Sequence, residues 1–288
     1  MQAIIEQIRQ HSGRPFTPDQ SRHLGGGCIN DALMLSQGDQ HWFVKLNRAD
    51  RLEMFEAEAA GLHALADTGA IRVPRPLCSG IDAGQSFIVL EYIDLGGRGD
   101  GAEAGRQLAR LHGCQAERFG WWRDNHIGST PQANAWCDQW IDFWRERRLG
   151  PQLKLLQRKG LLAARPLARA EQLLERFPAL IDHRPAPSLL HGDLWGGNLG
   201  YDRQGMPVIY DPAVYYGDRE AEIAMTELFG GLGRDFYTAY NQVWPLDAGY
   251  KTRKTLYNLY HILNHANLFG GSYLGQAQSM IESLLADC

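Results

Sequence analysis

The feature that most restricts this chain is the run His191-Gly192-Asp193-Leu194-Trp195-Gly196-Gly197-Asn198, followed by Val208-Ile209-Tyr210-Asp211-Pro212. Asn198 lies five positions after Asp193, and Asp211 thirteen after Asn198. Phosphoryl transfer needs an aspartate to meet the attacking hydroxyl, and an amide oxygen with a second carboxylate to hold magnesium against the phosphates of ATP. The run supplies these groups in order: Asp193 as base, Asn198 and Asp211 as metal ligands. The five-residue spacing is that of a kinase catalytic loop, and Asp211 closes an apolar run of strand character. Asp, Asn and Gly are also the commonest turn residues, so His-Gly-Asp alone would say little; the joint spacing carries the reading. His191 is expected to order the loop through hydrogen bonds, because the hydroxyl needs only one acceptor.

A second constellation lies upstream. Trp42-Phe43-Val44-Lys45-Leu46 alternates as a strand, which puts Lys45 on the face of Phe43 and opposite Trp42, Val44 and Leu46. Such a lysine either contacts ATP phosphates, held by a carboxylate of the next helix, or runs its stem across a sheet edge into water. The following helix offers Glu53, Glu56 and Glu58. At about 100° per residue only Glu58 borders the apolar stripe around Phe55, so Lys45 and Glu58 are the expected ion pair. Further upstream, Gly25-Gly26-Gly27-Cys28 forms a turn whose backbone N–H groups can approach phosphate oxygens unobstructed, although it matches neither GxGxxG nor a Walker A sequence. A Cys28 thiol exposed there would block ATP once oxidised; a buried one would act as a small apolar group. Glu91, Tyr92 and Ile93, at the end of a strand, are assigned to nucleotide binding as well.

The surrounding pattern is α+β. Strands are expected near residues 22–47, then over Leu77–Ile81 and Phe87–Ile93, with one helix over Asp50–Asp67 packed on the sheet. Leu95-Gly96-Gly97-Arg98-Gly99-Asp100-Gly101 breaks all periodicity and is read as a hinge. This divides the chain into a nucleotide-binding lobe, 1–94, and a mainly helical catalytic and substrate-binding lobe, 95–288. Helices are expected over Glu103–His112, Trp136–Arg148, Leu161–Phe177, Glu220–Phe229 and, as a pair, Thr252–Leu285.

Composition excludes other classes. With 29 basic and 33 acidic residues the net charge of -4 offers no general attraction to nucleic acid or anionic membrane. The five cysteines are scattered and form no CxxC pair, which argues against a disulfide framework or zinc site and fits a reducing, cytoplasmic setting. Residues 1–11 read as an amphipathic helix rather than a signal peptide, and no apolar run approaches the roughly 20 residues of a membrane span.

Taken together, these blocks resemble the fructosamine/ketosamine 3-kinases, relatives of the aminoglycoside and choline kinases. Besides the segments above, the resemblance rests on Met54-Phe55-Glu56-Ala57-Glu58-Ala59, Asp211-Pro212-Ala213-Val214-Tyr215-Tyr216-Gly217-Asp218-Arg219-Glu220, Asn125-His126-Ile127-Gly128, Arg147-Arg148-Leu149 and the stretch from Leu263 to Gly271. It implies a protein-kinase-like two-lobed fold and an ATP- and Mg2+-dependent transfer to the 3-hydroxyl of a ketosamine, free or on a glycated protein lysine. Trp195 would then offer a platform to the sugar or its amine substituent, or simply pack into the lobe. His265 and Asn267 would supply neutral polar groups to the acceptor. Many relatives carry Asp where Glu222 stands, a departure expected to bear only on the helix after the metal loop. An aminoglycoside or choline-like acceptor, and a nucleotide-binding scaffold without catalysis, are the competing readings.

Overall fold

The computed structural model describes residues 1–25 and 30–288, and the chain divides into two compact units. Met1–Asp100 and Leu199–Pro212 make the first; Gly101–Asn198 and Ala213–Cys288 make the second.

In the first unit, helix α1 (Gln2–Ser12) precedes strands β1 (Gln20–Leu24), β2 (Asp31–Gln37) and β3 (Gln40–Arg48), then α2 (Leu52–Asp67), β4 (Pro76–Asp82) and β5 (Gln85–Glu91). The strands form one antiparallel sheet in the order β1-β2-β3-β5-β4. Alternation fixes its two faces. Leu33, Leu35, Val44, Phe87 and Val89 bury one face against Ile4, Ile8 and Phe16, so α1 covers that side. Lys45, paired with Ile88 on β5, belongs to the other face, where α2 packs. One packed helix was expected; the N-terminal helix is a second, on the opposite face. Its apolar stripe of Ile4 and Ile8 is legible in sequence, but its destination depends on tertiary packing.

The glycine run expected to act as a hinge contains a boundary between the two units, Asp100 to Gly101, and its glycines also serve packing. Gly97 N donates to Tyr201 O (3.2 Å), and a Cβ on Gly97 would fall 1.7 Å from Asp202 O, one on Gly99 1.8 Å from the Tyr201 ring. The hairpin of Leu199–Tyr201 with Pro207–Ile209 therefore docks on the first unit, further tied by Ile209 N to Arg72 O (3.0 Å). A segment numbered within the expected second lobe thus packs with the first unit, and it carries Asp211 there.

The second unit is mainly helical: α3 (Gly101–His112), α4 (Trp140–Trp144), α5 (Gly150–Arg158), α6 (Ala164–Arg176), α7 (Arg219–Leu228), α8 (Arg234–Val243), α9 (Tyr250–Phe269) and α10 (Ser272–Asp287). The helix expected over Trp136–Arg148 starts at Trp140 and continues through a π-helical turn, Arg145–Leu149, into α5. Helix α8 was not anticipated. Only Phe236, Ala239 and Tyr240 bury its inner side, and the glycines before it read as loop. It crosses α3 at Gly105, where a Cβ would stand 2.2 Å from Phe236 O. Among the described residues no helix is long and apolar enough to cross a membrane.

Candidate active site

The candidate side chains fall into two sets, one in each unit. In the first, Lys45 is only 5% exposed, and its Nζ donates to Glu58 Oε1 (2.5 Å) and Asp211 Oδ1 (2.6 Å). The expected Lys45–Glu58 pair is present, while Glu53 and Glu56 are exposed on α2. Burial alone would push the lysine toward neutrality; the charges of Asp211 and Glu58 outweigh it and hold the ammonium above its ordinary pKa. One cation against two carboxylates leaves a net charge of -1, favourable to a further cation. The Asp211 side chain is 50% exposed, so part of its carboxylate is open to solvent.

Its backbone is strained. Asp211 has φ 61, one of two non-glycine residues in the left-handed region among those described, and it precedes a proline. Asp tolerates that region better than most residues, but the conformation still costs free energy and is commonest at functional sites.

The other nucleotide candidates fall as follows. Gly25 is exposed, with open space where a Cβ would point. Gly26, Gly27 and Cys28 lie outside the described residues. Glu91 ends β5 with its carboxylate on Arg72 Nη2 (2.9 Å), and Tyr92 sets its ring edge-on to His41, centroids 5.9 Å apart. Ile93 follows, half-buried.

In the second unit the loop expected to carry the base leaves the strand Ser188–Leu190. Gly192 has φ 85, and a Cβ there would lie 2.0 Å from Ala213 O, so glycine is required on two counts. The loop backbone is held by a buried carboxylate: Glu222, on α7, accepts from Gly192 N (2.6 Å), His191 N (3.1 Å) and His112 Nε2 (2.9 Å). Burial opposes that charge, yet His112, His191 and the Gly192 N–H together keep the Glu222 carboxyl below its ordinary pKa. The residue noted in sequence only as a departure from relatives is thus the anchor of the loop. Its signal was a charge inside the apolar run Ala221-Glu222-Ile223-Ala224-Met225.

His191 orders the loop as expected, its Nδ1 accepting from Asp193 N (3.3 Å). Asn198 donates Nδ2 to Asp193 O (2.8 Å), which commits the amide nitrogen and leaves the amide oxygen for another partner. The Asn198 amide oxygen and the Asp211 carboxylate are each oxygen donors of the type that a hard cation such as Mg2+ takes. Another grouping, His183, Asp218 and Glu220, has its candidate ligand atoms within 4.8 Å of one another. Those atoms are already engaged: Glu220 pairs with Arg253 (2.7 Å), and Asp218 accepts from His183 (2.8 Å) and Tyr257 (2.5 Å). It is a compensated ion network.

Of the acceptor candidates, Trp195 and His265 belong to one aromatic group. Trp195, 39% exposed, meets Phe229 edge-on (6.0 Å), and Phe229 meets His265 (5.0 Å), which in turn contacts Tyr273 and Phe269. Asn267 stands apart. It is 5% exposed, and its Nδ2 donates to Gln152 O (3.0 Å) and Oε1 (2.8 Å), inside the helical core. Its place on α9, two residues after His265, turns it about 200° away around the helix.

A family model described as Fructosamine kinase matches residues 1–287. The chain belongs to the fructosamine kinase family. A Synechocystis protein named "Probable ketoamine kinase" is 49% identical over 99% of this chain and 96% of its own length. The chloroplastic protein-ribulosamine 3-kinase of Arabidopsis thaliana is 46% identical over 91% of this chain and 81% of its own. A crystal structure from Haemophilus somnus, 31% identical, aligns over 98% of this chain and 96% of that chain with TM-score 0.90. The kinase therefore has the two-lobed fold of its family, with a small antiparallel sheet in one lobe and mostly helices in the other.

Proposed function

We propose that this kinase transfers the γ-phosphoryl group of ATP to the 3-hydroxyl of ketosamines, fructosamine or ribulosamine adducts of amines. The observation that carries this reading is the buried Lys45 ammonium shared between Glu58 and Asp211, in a chain whose relatives are named for ketoamine and ribulosamine phosphorylation. Lys45 contacts ATP phosphates, with Glu58 holding it in place; Gly25–Cys28 covers them, and Glu91–Ile93 lines the nucleotide. The first unit is the nucleotide-binding one, the second supplies the base and the acceptor groups.

Asp193 accepts the proton of the attacking hydroxyl, on a loop whose backbone Glu222 and Ala213 hold in register. Asn198 and Asp211 are the residues that would offer oxygen ligands to magnesium, which would supply positive charge to offset that on the phosphates. Trp195 and His265 present an aromatic and polar surface to the sugar or its amine. Asn267 supports that surface from the core rather than touching the acceptor. A phosphate at the third carbon is a far better leaving group than hydroxide. Once the adduct enolises toward its amine-bearing carbon it expels the 3-phosphate, and water then hydrolyses the resulting imine to release the amine. The same chemistry extends the substrate class to glycated lysines of proteins, in a cytoplasmic setting.

A panel of ribulosamine, fructosamine, choline and kanamycin with labelled ATP tests the reading. Label is expected on the two ketosamines. Label on choline or kanamycin alone would replace the acceptor class, and nucleotide binding with no labelled product at all would leave a scaffold.

A further inference from the structure

Arg148 is a buried cation that none of these roles uses. It lies in the π-helical turn Arg145–Leu149 and is 0% exposed. Such turns are rare and frequently mark functional positions. Among the described residues its partners are oxygens of neutral groups and aromatic faces, not carboxylates. Nη1 donates to Ala133 O (2.7 Å) and Arg147 O (2.9 Å), and Nη2 to Asn134 Oδ1 (2.8 Å). The guanidinium lies over the rings of Tyr215 (4.0 Å), Phe143 (4.6 Å) and Tyr260 (5.8 Å). A charge buried without a counter-charge is costly, so its retention calls for a use.

The direction of its hydrogen bonds supplies one. A guanidinium carries donors only, so the oxygen of Asn134 must face it. That turns Asn134 Nδ2 toward Asn125 Oδ1 (3.0 Å), which leaves Asn125 Nδ2 for Val214 O (2.8 Å). A parallel branch starts at Tyr260, whose hydroxyl donates to Gln132 Oε1 (2.6 Å); Gln132 Nε2 then faces Asn125 Oδ1 (2.8 Å) and Ala213 O (3.1 Å). All four relay side chains, Asn125, Gln132, Asn134 and Tyr260, are buried. The relay ends on the segment that seats the catalytic loop: Ala213 N donates to His191 O (2.8 Å), and Ala213 O occupies the space beside Gly192.

We propose that Arg148 is a positioning residue for the catalytic loop: its donor-only charge sets the direction of the Asn134–Asn125 relay, which fixes Ala213 and Val214 and so the backbone of His191–Asp193. The activity readout rests on Asp193 as base; the exchange readout below needs neither acceptor nor ATP and stands apart from that reading. Arg148→Gln places a two-faced amide at the head of the relay, so Asn134 Oδ1 no longer faces an obligatory donor and the first link loosens, whereas Arg148→Lys remains donor-only.

Hydrogen exchange on the full-length protein, with steady-state kinetics beside it, tests this. In Arg148→Gln the amides of Leu190–Asp193 and Ala213–Tyr216 are expected to exchange about tenfold faster or more, while kcat falls about tenfold and KM for ATP stays within about twofold. Arg148→Lys should recover most of both. If Arg148→Gln does not fold, Asn125→Asp cuts the far end of the relay, since a carboxylate has no donor for Val214 O, and should give the same local pattern. Two results would overturn the proposal. One is unchanged exchange in both segments. The other is faster exchange spread evenly over α4, α5 and α9 with Lys no better than Gln, the signature of packing alone.

Discussion

Replacing Glu222 by Gln isolates what its buried carboxylate does for the loop. In the wild type three donors converge on two oxygens: Gly192 N at 2.6 Å, His191 N at 3.1 Å and His112 Nε2 at 2.9 Å. Gln offers one oxygen and two donors, so at least one N–H of the loop or the His112 ring faces an NH2 group. Leaving a buried donor unmade costs about 1–3 kcal/mol. With roughly 2–4 °C per kcal/mol for a domain of this size, the melting temperature should fall by about 2–12 °C. Because Asp193 directly follows Gly192, a displacement of about 1 Å would lower kcat up to about 100-fold. The pH dependence has a definite sign. The folded-state pKa of Glu222 is depressed, so its stabilisation is present above the ordinary carboxylate value of about 4.3 and is lost as pH falls through the lower folded value. The gap between wild type and variant should therefore narrow below about pH 4.3. Scanning calorimetry across pH, with turnover on ribulosamine, measures both effects. A Tm shift under about 1 °C together with kcat within about twofold of wild type would refute the reasoning.

Other substitutions probe the remaining links. Asp193→Asn should abolish turnover while ATP binding, followed by titration calorimetry, stays close to wild type; full activity would remove Asp193 from its role. Asp211→Ala should weaken nucleotide binding chiefly in the presence of magnesium, and equal loss with and without the metal would count against it as a ligand. Gly105→Ala forces a Cβ to 2.2 Å from Phe236 O and should destabilise by about 1–3 kcal/mol despite the gain in helix propensity, read as a lower Tm. His261 is fully buried, and that burial, with the charges of His265 and Arg148 adding to it, depresses its pKa to about 3. The unfolded chain takes up this proton near pH 6.5 and the folded one only near 3, so wild-type stability should fall by about 1.4 kcal/mol per pH unit across that window. His261→Gln should flatten the slope, and an unchanged slope would mean that the ring titrates normally.

Much of the site was legible because its chemistry is local in the chain. Asp193, Asn198 and Asp211 sit at fixed spacings on one loop and strand end, and strand and helix periodicity sufficed to pair Lys45 with Glu58, which the 2.5 Å contact bears out. Glu222 and Arg148 were noted only in the comparison with the family and were given no role. Each acts on backbone distant in sequence, through hydrogen bonds that periodicity does not encode. Asn267, a neutral amide near His265 in number, is turned by the helix into the Gln152 core, a placement that number alone does not reveal.

The order of residue types along the chain was enough to determine an α+β fold and the Lys45–Glu58 pair, since each depends on contacts within a strand, a helix turn or a few neighbouring residues. Only tertiary structure decided that 199–212 packs with the first unit and places Asp211 on Lys45, that α1 closes the second face of the sheet, and that a carboxylate from α7 accepts from the backbone of His191 and Gly192. Those outcomes depend on which buried donors find which acceptors, a condition satisfied only when distant segments meet.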